Sequence, residues 1–253
     1  MNTTYTLLEL RRVFREPATL FFVAALPAFL YVVFGASQEY ADEPMLHGNV
    51  ALFIMIGMAA YGAVTATNGI GGMAAVERMQ GWGRQLGLTP MRDVEYVAIK
   101  AVVAIVVAGI PVVAIYGLGA LTGAEGTATA WVLSGVVVLV GATTWALFGL
   151  AVGTAFRTES SVSAASGMLV VFSFLGNLFF PLTGLWLEIA RFTPLYGYAA
   201  LARYPVNEGR SADDHGNAIV PDPLWLPALN VAVWTILFAL VAVWLVRRGR
   251  ARQ

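Results

Sequence analysis

Cysteine is absent from the 253 residues, which excludes disulfides and thiolate metal sites and leaves the redox compartment unread. Histidine occurs only as His47 and His215, both outside the long apolar runs, so no embedded histidine metal centre is expected. Lysine occurs once, at Lys100, and no Gly-x-x-x-x-Gly-Lys-Ser/Thr sequence is present. The chain therefore has no phosphate-cradling loop, and any ATP must be handled by another polypeptide. Charged residues make up 12% against 58% hydrophobic. That is too little polar surface for a soluble globule, and it implies a membrane protein.

Charge is also missing where a membrane pump would need it. A hydrocarbon core about 30 Å thick requires about 20 apolar helical residues. Six segments qualify: Ala18–Ala36, Val50–Val76, Val97–Leu121, Ala130–Phe156, Ser161–Leu182 and Leu226–Val246. Spans two, four, five and six hold no Asp, Glu, Lys, Arg or His, and Lys100 lies at the edge of span three. Ion-coupled transport normally uses a buried ionisable group or broken coordinating helices near the midplane, and neither is evident. Ser161, Ser163, Ser166 and Ser173 have no histidine or carboxylate at similar depth, which disfavours an intramembrane protease. No catalytic residue is expected. Pro27 and Pro111 fall inside spans one and three and should kink them.

What is present has a clear polarity. Residues 4–16 carry Leu7, Leu10 and Phe14 at helical spacing with Arg11 and Arg12 between them, the pattern of an amphipathic helix in the headgroup region. A secretory signal is the competing interpretation of this arm and the apolar run after it. With the N-terminus cytoplasmic, twelve basic residues fall inside and only Arg191, Arg203 and Arg210 outside, a positive-inside bias that also makes the C-terminus cytoplasmic. The expected fold class is an all-α membrane protein of six transmembrane helices, with one transmembrane domain over 1–253.

The most specific stretch is the polar island running from Glu77 to Pro90 between spans two and three. Gly81 and Gly83 break a helix, and Pro90 pushes its predecessor out of helical geometry. One or two helical turns remain between them, with Trp82, Leu86 and Leu88 as apolar contacts and Arg78 and Arg84 as charges. Such a peptide is built to dock into a groove. Glu77, Arg78, Gly81, Leu86, Thr89 and Pro90 make the island resemble the first cytoplasmic loop of type-2 ABC transporter permeases, nearest to the drug-resistance branch. Met79, Trp82 and Arg84 depart from the acidic or small polar residues usual there. The resemblance implies that residues 77–92 form a coupling helix seated on a separate ABC ATPase, present in two copies and carrying the ATP and magnesium. It also implies a second permease copy, identical or paralogous, a bacterial cytoplasmic membrane and no nucleic-acid partner.

Residues 181–204 are interrupted by Pro181, Gly184, Pro194 and Gly197 and rich in aromatics, including Trp186 and Tyr196, with Glu188 and Arg191 in the middle. One continuous span is impossible there. Two short helices dipping in from the outer face fit better, and an aromatic belt anchoring an interfacial loop is the alternative. The same arrangement recurs in the resembled family, where it caps the outer end of the pathway. Uncharged polar residues complete the candidate set: Thr65, Thr67 and Asn68 in span two, then Ser173, Asn177, Phe179 and Phe180 in and after span five. Singly they read as helix packing. Together they could line a mainly apolar passage between two subunits, suited to a hydrophobic or amphipathic cargo. The expected function is an exporter permease; an importer permease and an ATP-independent channel or structural membrane protein are the alternatives.

Overall fold

A computed structural model describes residues 3–77, 93–156, 159–179, 182–212, 218–219 and 221–250. In chain order the helices are α1 (Thr3–Phe14), α2 (Pro17–Ala36), α3 (Val50–Glu77), α4 (Asp93–Leu121) and α5 (Ala128–Phe156). They are followed by α6 (Glu159–Leu175), α7 (Gly184–Ala190), α8 (Pro194–Asn207) and α9 (Trp225–Arg250). Two antiparallel two-residue pairs, Pro44–Met45 with Gly48–Asn49 and Ser211–Ala212 with Ala218–Ile219, tighten loops at one end.

Helix α3 is the axis of the bundle. Of its most apolar window 78% is buried, against 11% for α9 at the periphery. It is apolar all round, as a helix enclosed by others must be, and its small residues let neighbours approach closely. Gly71 lies against the Ala146 carbonyl of α5, while Gly149 of α5 lies against the Asn68 carbonyl; a Cβ at either would collide with main chain. This reciprocal seam is the small-residue packing that helices use where hydrophobic burial alone does not drive association.

One span proline and a carbonyl of the other proline's helix meet at one glycine. A Cβ at Gly62 would stand 2.6 Å from Pro111 Cβ and 2.8 Å from the Val23 carbonyl. Val23 is four residues before Pro27, so its oxygen is the one that a proline cannot satisfy. Around Pro27 the hydrogen-bond ladder widens to π-helical turns over Phe21–Ala25 and Val32–Ala36, a usual way of absorbing such a disruption.

Asn49 starts α3 and ties a loop to it. Its Oδ1 accepts from Leu52 N, the N-cap bond, and from Glu125 N, both at 3.0 Å, while its Nδ2 donates to the Gly123 carbonyl at 2.7 Å. A core of aromatic edges joins α5, α6 and α9: the fully buried Trp145 has Phe148, Phe238 and Phe172 at 5.7, 5.8 and 6.2 Å. Such edge-to-face pairs add to the stabilisation from burial alone.

Among the described residues five helices are long and apolar enough to cross a membrane: α2, α3, α4, α5 and α9. The segment expected as span five is instead the 17-residue α6, with Val162–Leu175 as its apolar part. It stops at Leu175 rather than Leu182 because Asn177 takes a left-handed φ of 60°, a conformation that ends a helix. The chain beyond it is held by a side chain from another element.

Candidate functional site

The sequence groups its candidates at two ends of the bundle, and the structure gives each end a distinct chemistry. At the first end α1 lies across the start of α4 and the finish of α3. Its inward side carries Thr6, Glu9, Leu10 and Val13, while Leu7 and Phe14 lie on the outer side, 68% and 52% exposed. The inward carboxylate has a partner inside. Lys100 Nζ lies 2.7 Å from Glu9 Oε2 and 2.7 Å from Glu77 Oε2, and Arg12 Nη1 donates to Glu77 Oε1 at 2.6 Å. Two acids and two bases thus join α1, α3 and α4. Burial and the neighbouring Glu9 push the Tyr5 phenol above its ordinary pKa, so it remains a neutral donor beside the acids. Arg11 is exposed, as expected of a headgroup contact.

Glu77 is therefore not a surface residue of the polar island. It is the last residue of α3, 5% exposed, and the island begins from a carboxylate fixed inside the protein. Arg78, Gly81, Trp82, Arg84, Leu86, Leu88 and Pro90 lie outside the described residues.

Of the expected passage residues, two close helix interfaces within this subunit and a third bonds back along its own helix. Thr67 Oγ1 donates across to the Ala142 carbonyl at 2.7 Å, Asn68 Nδ2 donates to Ser166 Oγ at 3.2 Å, and Ser173 bonds back to Leu169 O at 2.7 Å. All three are fully buried. Thr65 bonds to Tyr61 O on its own helix. Asn177 and Phe179 do line open space, and Phe180 lies outside the described residues.

That space is a chamber of about 680 Å³ at the second end, lined from α3, α7, α8, residues 176–179, 182 and 183, and the loop after α2. Here the chain is irregular, and side chains satisfy its carbonyls. Arg203 donates from Nε to Phe53 O at 3.2 Å, from Nη1 to Asn177 O at 2.6 Å and from Nη2 to Leu178 O at 2.9 Å. Gly57 leaves room for the guanidinium, and a Cβ there would collide with it. Asn230 Nδ2 donates to the Arg191 and Thr193 carbonyls and Trp234 Nε1 to Phe192 O, capping the link between α7 and α8. Irregular backbone inside a membrane protein needs such partners.

The two short helices expected near 181–204 are present as α7 and α8, shifted to 184–207. Pro194 is in the first turn of α8, where the missing N–H costs nothing. Tyr196 OH donates to Asp222 Oδ2 at 2.9 Å, and Arg191 bridges Asp222 Oδ1 and Glu188 Oε1 at 2.8 and 2.7 Å. Trp186 is 60% exposed, and Pro181 lies outside the described residues. At the same end His47 Nε2 and Glu208 Oε1 stand 3.0 Å apart, joining the first loop to the finish of α8.

Sequence reading missed Arg203, Lys100 and Asn49 as organising residues. Asn49 was detectable as an N-cap residue directly before a long apolar run. Lys100, the lone lysine, sits a helical distance from span edges but gives no local sign of its two carboxylate partners, which are 91 and 23 positions away.

These features define a multi-pass helical membrane protein with a charged knot at one end and a partly apolar chamber at the other. No protein-family model matches the sequence. Along almost its full length the chain is similar to a Bacillus subtilis (strain 168) protein named "Putative transport permease YvfS", 21% identical over 249 residues that cover 96% of each chain.

Proposed function

We propose that the chain is the membrane-spanning permease subunit of an ATP-driven exporter of the type-2 ABC kind. Two permease copies would work with two copies of a separate ATPase, moving a hydrophobic or amphipathic compound out across the cytoplasmic membrane. The observation that carries this reading is the Glu9–Arg12–Glu77–Lys100 knot. It ties the amphipathic α1 to α3 and α4 at the residue where the polar island begins, so force on the island would reach three helices at once. The motif in residues 77–90 and the end-to-end likeness to a protein named as a transport permease support it.

In this scheme closure of the ATPase dimer pushes the island, and the knot turns that push into a tilt of α3 and α4 with α1 following in the headgroup layer. α7 and α8 lie at the opposite end and act as the outer gate, the re-entrant pair of the sequence reading. The buried Thr67 and Asn68 hold α3 to α5 and α6 during the tilt, leaving the passage between subunits to the exposed apolar faces. The chain contributes no hydrolysis of its own. Replacing Leu86 with Asp tests the scheme: ATPase co-purification and export should both fall sharply while the permease still reaches the membrane. Normal values of both would remove the coupling reading and leave the ATP-independent channel.

A further inference from the structure

The chamber at the second end contains a charge with no ionic partner among the described residues. Arg203 is 4% exposed and lines this space, yet among the described residues it forms no ion pair. Its three hydrogen-bonded acceptors are main-chain carbonyls, which are dipoles without net charge. The guanidinium also stands 4.2 Å over the Phe53 ring, a contact that orients it without neutralising it. A guanidinium has five N–H donors, so two remain for a ligand. Buried charges are ordinarily paired.

The acidic side chains on the same walls do not supply the missing partner. Asp222 is already engaged by Arg191 and Tyr196. Glu43 is exposed to solvent and forms no ion pair with Arg203. The remaining walls are mostly apolar, with Phe34, Ile54, Leu178, Phe179 and Leu187 among them. The volume lies within the range of small-molecule sites, about 300–1,000 Å³.

We infer that this chamber binds a single-chain amphiphile with an anionic head, its phosphate or carboxylate on the free N–H groups of Arg203 and its tail along Phe34, Ile54 and Phe179. The site is within one subunit and needs no ATPase, so the inference goes beyond the transport reading and stands or falls separately. Two features make the site preformed. Gly57 leaves the space that the guanidinium occupies, and the left-handed Asn177 presents its carbonyl to it. A polar group held in advance in apolar walls binds its counterpart at low ordering cost.

The test uses the full chain in phosphatidylcholine nanodiscs and counts bound ligand by native mass spectrometry, with empty nanodiscs as the partition control. The probes are dodecyl phosphate, dodecyltrimethylammonium and inorganic phosphate. Wild type should retain one dodecyl phosphate per chain about tenfold or more tightly than the ammonium of equal tail, the scale of one charge-assisted hydrogen bond. Inorganic phosphate alone should not be retained. Ala200→Trp, which places bulk in the chamber from α8, should abolish saturable binding. Arg203→Gln, which keeps amide donors for the carbonyls but removes the charge, should erase the preference between the two amphiphiles. If Arg203→Gln fails to fold, the wild-type preference and Ala200→Trp decide. Equal retention of both amphiphiles by wild type, retention of inorganic phosphate alone, or binding unchanged by Ala200→Trp would each overturn the inference. A chain that binds dodecyl phosphate but recruits no ATPase keeps this site and loses the exporter reading.

Discussion

Replacing Lys100 with Met should expose how the charged knot is balanced. The ammonium is 2.7 Å from carboxylate oxygens of both Glu9 and Glu77, and the acid side chains are 12% and 7% exposed. Without it, two nearly buried carboxylates lose their shared ammonium, and the Arg12 guanidinium on Glu77 has a side chain that is 48% exposed. An exposed partner contributes little, about 0–1 kcal/mol. Stranding a buried charge costs about 3–5 kcal/mol, and that range is the expected loss of stability. The double variant Lys100→Met with Glu77→Gln removes one base and one acid together and should recover most of it, because an apolar replacement of a whole buried pair is often close to neutral. Unfolding of the detergent-purified variants, followed by helical circular dichroism, measures both. A Lys100→Met protein as stable as wild type, or a double variant no better than Lys100→Met alone, would refute the assignment of these contacts as a balanced buried network.

Further outcomes follow from single contacts. Gly71→Val drives a branched side chain into the Ala146 carbonyl and should cost about 1–3 kcal/mol or more from overpacking, read as a lower unfolding midpoint. Asn49→Ala removes the N-cap of α3 together with its hold on the 123–125 loop and should cost about 1–2 kcal/mol, seen as faster hydrogen exchange at Leu52. Trp145→Ala empties the aromatic junction of α5, α6 and α9 and should cost about 3–5 kcal/mol. Because the chain has no native cysteine, single replacements report sidedness directly. Leu86→Cys and Arg248→Cys should be modified from the cytoplasm and Trp186→Cys from outside; opposite labelling of the first two would contradict the orientation.

The apolar lengths and the proline breaks made most of the helices legible, since a run such as Val50–Val76 can satisfy its backbone in lipid in no other way. What the inward side of α1 meets was not legible: Glu9 is held by Lys100, 91 positions away. The early stop of α6 was hidden for the same reason: the left-handed turn at Asn177 is stabilised by Arg203, which sequence reading counted only as an external positive charge. Asn177, Phe179 and Tyr196, expected as pathway and gate residues, line the chamber within one subunit; polar and aromatic side chains beside helix breaks mark irregular backbone. Thr67 and Asn68 carry the same kind of signal but serve close helix contact, a distinction that depends on which neighbour each faces.

The central claim is that the island after Glu77 engages a separate ATPase, and a photo-crosslinking residue placed at Leu86 in the membrane-embedded protein tests it most directly. The account predicts a single crosslinked partner whose peptides include a phosphate-binding loop, with the adduct weakened by Lys100→Met. A residue at Leu86 that crosslinks only to lipid, or a partner without that loop, would contradict it.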